Sequence, residues 1–251
     1  MTTRADVERL SAASRRLVNM AKRDLDALMR MMDLGNPEAA RDAVLDVMPE
    51  LVREYGDLAS LAAAEWYEEV RGASGVTSRH ATVLSPGMAE EVVQEGVRYA
   101  VGHFFGDDPV AALGLLSGML QRYVLYGTRD TVRRNTETDR ARPRYARVPS
   151  GAKTCAFCEM VASRGFVYHD ERKAGQIGLG NDYHNDCDCQ VVVEFDADQH
   201  HIEGYDPDAM YARYLAARDR VGDHFDTNSI LSEMRRMFPG QFTDGVTEDT
   251  D

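Results

Sequence analysis

Four cysteines and one histidine hold the densest chemistry in this chain. Cys155-Ala156-Phe157-Cys158 forms a C-x-x-C pair, and after 25 intervening residues His184-Asn185-Asp186-Cys187-Asp188-Cys189 forms H-x-x-C-x-C. Two tight chelating turns separated by a loop suit a tetrahedral zinc ion, because each turn can bring two donors to one side of the ion at about 2.0–2.3 Å. Five candidate ligands, Cys155, Cys158, His184, Cys187 and Cys189, stand for four positions. In an extended segment Cys187 and Cys189 point to the same side, so either could be the one left over. A sphere filled by four such donors is closed, and we expect one structural zinc ion. Two other readings stay open: buried or redox-active thiols without metal, and a catalytic zinc with three protein ligands and a water. A thioredoxin-like C-x-x-C should follow a βαβ pattern, whereas this one follows an Arg/Pro-rich stretch.

The remaining histidines, His80, His103, His169, His200, His201 and His224, show no ligand spacing beyond one adjacent pair. Only His169, between the two cysteine pairs, is kept as a spare ligand. Gly175, Gly178 and Gly180 lie in the same interval and read as a turn. No H-E-x-x-H, G-x-S-x-G or phosphate-cradling G-x-x-x-x-G-K-S/T motif is present.

The elements that must position the cluster are mostly helical. From Ala5 to Met32, Val7, Leu10, Ala13, Leu17, Ala21, Leu25, Leu28 and Met32 recur at three- and four-residue steps, with Arg15, Arg16, Lys22, Arg23 and Asp26 on the other face. Asn36-Pro37 predicts the start of a second helix, and Pro49 predicts its break, with a third helix from Pro49 to about Arg71. The stretch from Gly72 to Pro86 reads as a connection. A helix from Met88 to about Phe105 follows, and Asp107-Asp108-Pro109 opens another that runs toward Arg134. Past a boundary near Asp139–Tyr145 the material turns β-like, in Gly165-Phe166-Val167-Tyr168 and in Gln190 through Phe195. Two short helices, about Asp208–Val221 and Thr227–Met237, precede a polar tail expected to be mobile. The fold class expected is α+β: a helical domain over residues 1–140, a zinc-stabilised α/β module over 141–200, and a helical, partly mobile tail over 201–251.

A chain of 251 residues with 43% hydrophobic residues can bury a core. Its formal charge of −13 disfavours general coating of nucleic acid or an anionic membrane. No stretch reaches the roughly 18 apolar residues of a membrane span, and the N-terminus lacks the apolar region of a secretion signal. A soluble, non-secreted protein is therefore expected, with no membrane partner. All four cysteines fall in one region, which suits a reducing compartment and a metal. Between Arg129 and Lys153, eight basic residues face three acidic ones. A solvated linker, or a partner for the acidic C-terminal part, is the ordinary explanation. A weak DNA contact through Arg133, Arg134, Arg142 and Arg144 is the functional one.

The order C-x-x-C, long loop, H-x-x-C-x-C and strand, here CAFC … HNDCDCQVVVEF, resembles the C-terminal signature of MuF-like minor head proteins of tailed bacteriophages. The likeness covers about Arg144 to Phe195. It departs in having Asn185 where the family has proline and Asp188 where it has a basic residue. Neither change removes a ligand. The helical segment from Pro49 to Arg71 is similar to capsid-region proteins of actinobacterial phages. The resemblance implies a structural virion protein of the capsid interior, made in the host cytoplasm, acting in head morphogenesis and binding the portal or major capsid protein. Some relatives are fused to, or labelled as, capsid maturation proteases, but no nucleophile–base constellation is found here, so no enzymatic activity is expected. A protease-related protein and a zinc-containing nuclease of the HNH kind are the alternatives.

Overall fold

Thr3 and Asp6 open the first helix as a reciprocal pair: the Thr3 amide donates to Asp6 Oδ2 at 2.9 Å and the Asp6 amide donates to Thr3 Oγ1 at 3.3 Å. In the computed structural model, which describes residues 1–167, 185, 187, 189–222 and 226–245, this helix is α1 (Arg4–Met31). It buries Val7, Leu10, Ala21 and Leu25 of the expected stripe and also Val18, while Leu17 and Leu28 of that stripe are partly buried. Asn36 caps α2 (Pro37–Ala73), its side chain accepting from the Ala39 amide.

One correction concerns Pro49. The chain makes one helix of 37 residues through it, where two were expected. Proline removes an amide donor, which in a helix interior costs about 3 kcal/mol. Val44, Met48, Leu51, Val52 and Tyr55 around Pro49 are all buried in the main core, and burial of about 1.5–3 kcal/mol per large side chain offsets that loss several times over.

The chain continues through α3 (Glu90–Val101), a 3-10 turn (Gly102–Phe105) and α4 (Ala111–Thr138). The expected Asp107-Asp108-Pro109 start is realised by Asp108, whose Oδ1 accepts from the Ala111 amide at 3.2 Å. α2 and α4 share the most extensive helix contact. A Cβ on Gly127 would strike the Gly56 carbonyl oxygen and lie 2.9 Å from Ser60 Oγ, so only glycine allows that approach.

β1 (Arg144–Val148) and β2 (Gln190–Glu194) pair antiparallel, with Tyr145 opposite Val193 and Arg147 opposite Val191. The expected strand-like run around Phe166 is not a strand in its described part. Gly165 takes a positive φ of 68°, and Phe166 turns inward to stand edge-on to Tyr205 at 6.1 Å; the aromatic packing, not a strand partner, explains its apolar character. Tyr168 lies outside the described residues. α5 (Ala156–Ala162), α6 (Pro207–Val221) and α7 (Thr227–Met237) pack around Ala156, Ala217, Ile230, Leu231, Met234 and Phe242. Past α7 the chain returns to the start of α5: the Thr243 amide donates to the Thr154 carbonyl at 3.0 Å and the Ala156 amide to Asp244 Oδ1 at 2.9 Å. The described part of the expected polar tail is thus docked through residue 245, and 246–251 lie outside the described residues.

The two-stranded sheet does not build a core of its own. Tyr145, Ala146, Val148 and Val191–Val193 pack with Val7 and Leu10 of α1, Trp66, Tyr67 and Val70 of α2, and Val132 of α4. One apolar cluster therefore runs across the stretch around Asp139–Tyr145. At that crossing Asp139 accepts from Arg71 Nε at 2.7 Å and from Tyr67 Oη at 3.2 Å.

Candidate metal centre

Cys155 is the N-cap of α5, its Sγ accepting from the Cys158 amide at 3.2 Å. This places both sulfurs of the first pair at one end of a short helix. The second pair enters β2, which fixes Cys189 immediately before the strand. The Sγ atoms of Cys158 and Cys187 stand 3.3 Å apart, those of Cys158 and Cys189 3.6 Å, and those of Cys187 and Cys189 3.1 Å. All four cysteines are free, form one buried group and are at most 4% exposed.

The donor set fits a thiophilic ion. Sulfurs at 2.3 Å from a tetrahedral zinc lie about 3.8 Å from one another, so the three edges among Cys158, Cys187 and Cys189, at 3.3, 3.6 and 3.1 Å, each fall short of that spacing by less than 1 Å. The sulfurs of Cys158, Cys187 and Cys189 all lie within 4.8 Å of one another, so neither Cys187 nor Cys189 is turned away, and Cys155 is buried in the same cluster without joining that group of three. His184, the fifth expected ligand, lies outside the described residues, as do His169, Gly175, Gly178 and Gly180.

The protonation pattern prepares the site for a cation. Hydrogen bonds from Cys158 and then Cys187 hold Cys189 well below the ordinary thiol range, with Arg147 and Arg129 adding to the effect against the cost of burial. Cys158 is pushed well above that range, first by its hydrogen bond with Cys155 and then by those with Cys187 and Cys189. For Cys187 the hydrogen bond with Cys158 pulls downward, but the one with Cys189 and burial outweigh it, and the thiol is pushed up to about 11.

Sequence reasoning missed the groups that surround the sulfurs. Arg129, on α4 and 2% exposed, donates from Nε to the Cys189 carbonyl at 3.0 Å and from Nη2 to the carbonyls of Cys187 and Cys189 at 3.0 and 2.8 Å. Arg147, on β1, sets Nη2 3.5 Å from Cys189 Sγ and lies over the Phe157 ring at 5.8 Å. Gly118 of α4 also makes room: a Cβ there would meet the Asn185 Cβ at 2.9 Å. The sequence signal was present, since both arginines belong to the basic run, but eight similar residues hide two with distinct work.

Three more arginines of that run are also engaged. Arg133 pairs with Asp130 at 2.5 Å and Glu137 at 2.9 Å, Arg134 pairs with Asp130 at 2.8 Å, and Arg144 donates to the carbonyls of Asp196 and Ala197. Arg142 is exposed, with a positive φ of 52°. Away from the cysteines, His201, Asp206 and Asp208 also approach one another, but all three are exposed and Asp206 serves as the cap of α6. His80 hydrogen-bonds Asn135 at 2.9 Å and is structural. No helix among the described residues is long and apolar enough to cross a membrane.

A family model described as VG15 protein matches residues 1–217. No curated protein and no solved structure matches the chain.

Proposed function

The chain belongs to the VG15 protein family, a phage virion-gene family, and from that premise we propose that it is a structural minor head protein of the MuF-like kind, acting at the portal or the capsid interior of a tailed phage. Its buried cysteines hold one zinc ion, and the ion's role is to fix the fold. The observation that carries a structural over a catalytic role is the burial of all four sulfurs, at most 4% exposed. A catalytic zinc keeps one position open to water and substrate, whereas four enclosed thiols close the sphere.

Cys155 and Cys158 hold the N-terminal end of α5, and Cys187 and Cys189 hold the chain where it enters β2. Zinc binding at this junction would supply folding free energy, on the order of 10 kcal/mol for structural sites. The partner proposed is the portal or the major capsid protein, which the full chain would meet through its helical half. Quantitative proteomics of mature particles and procapsids tests the reading: the protein should be present at low copy, and full-length chain should co-purify with the portal protein. Absence from both kinds of particle would remove the reading and leave a non-virion role.

A further inference from the structure

We propose that Arg129 and Arg147 are positioning residues of the metal centre, holding the second cysteine pair in place and balancing the charge of the thiolates. The proposal rests on the reading of the four cysteines as metal ligands. The Cys187 and Cys189 sulfurs stand 3.1 Å apart. Arg129 ties the two residues together, since its one guanidinium takes both the Cys187 and the Cys189 carbonyl. A planar fork with fixed donor directions does this in a way a flexible ammonium cannot.

Arg147 acts on the sulfur itself. It approaches Cys189 Sγ at 3.5 Å and lies over the ring of Phe157, the residue just before Cys158, so one side chain reaches from Cys189 to the turn that carries the first pair. Placing two guanidinium groups at 2% and 8% exposure is costly unless opposite charge meets them. A divalent ion in four thiolates carries a formal charge of −2, and the two arginines bring +2. Groups that hydrogen-bond metal ligands from outside the coordination sphere commonly govern affinity as strongly as the ligands' own setting does. Arg129 comes from α4, within the helical half, so the metal site depends on a residue outside the cysteine module.

The two positions carry opposite expectations for a conservative change. Arg129→Lys keeps the charge and loses the fork, so it should behave like Arg129→Met. Arg147→Lys keeps a cation beside the sulfur and should stay near wild type, while Arg147→Gln should not. The experiment loads full-length protein with zinc and measures its release to a chromophoric chelator, with circular dichroism to confirm the helical fold. Arg129→Lys, Arg129→Met and Arg147→Gln should weaken zinc retention by about 10–100-fold. In cobalt-loaded protein, the sulfur-to-metal charge-transfer band should shift for Arg147→Gln and not for Arg147→Lys. Should the Arg129 variants fail to fold, the Arg147 pair decides. Wild-type retention and an unshifted band in folded variants would overturn the proposal with the metal reading intact. A wild-type protein that takes up neither metal would overturn both.

Discussion

At the cysteines, metal binding and protonation compete for the same atoms. Cys158 and Cys187 both sit above the ordinary thiol range and hold their protons at neutral pH, so loading an ion must expel at least those two. Affinity then falls as pH falls, on the order of 100-fold per unit for two protons. Competition titrations between pH 6 and 8 check this, and a flat profile would mean the thiols are not the ligands. A second residue-scale expectation concerns helix contact. Gly127→Ala should destabilise by about 1–3 kcal/mol, as overpacking does, because the new methyl meets the Gly56 carbonyl. Gly56→Ala points its methyl into open space and should be neutral or stabilise by up to about 1 kcal/mol; denaturant midpoints compare the two. The gathering of the cysteines was legible because short cysteine spacings have few physical readings. Arg129 and Arg147 were not, because the burial of an arginine depends on contacts 42 to 60 residues away.

Elements follow their local signals where a cap or a period acts alone, and depart where packing overrules it. Asn36, Asp206 and Asp226 each cap the helix expected after them. Pro49 signals a break, yet the buried side chains on both sides keep α2 whole. Pro49→Ala should therefore stabilise the protein, by up to about 3 kcal/mol, since it restores a backbone donor without disturbing the core. A lowered denaturation midpoint would instead mean that the proline's ring packs usefully. At the ends of α2 and α4, burial pushes the Asp139 carboxyl upward, but the hydrogen bonds from Arg71 and the Ala141 amide, with the charges of His80 and Arg71, together outweigh it and hold the group below its ordinary range. A lowered folded value stabilises at neutral pH, and that stability is lost as pH falls below the carboxylate range. Asp139→Asn should lower stability at pH 7 and narrow the gap from wild type at pH 3, measured by thermal unfolding.

Across the whole molecule, one apolar cluster joins residues on both sides of the composition change near Asp139–Tyr145. Helix periodicity showed which faces of α1 and α2 are apolar. It could not show that their ends cover the sheet, because that is a property of tertiary packing. Trp66, the sole tryptophan, lies in the shared cluster and donates Nε1 to the Asp6 carbonyl at 2.9 Å. Its fluorescence and the helical circular dichroism should follow one coincident transition in denaturant, whereas an early fluorescence change with intact helices would show that the sheet unfolds on its own. The proposed metal would tie this shared core to α5, and on that ion the account depends most. Native mass spectrometry of freshly reduced, full-length protein measures it directly. The account predicts a dominant species with the added mass of one zinc ion that disappears in Cys158→Ser; a folded wild-type chain with no bound metal would contradict it.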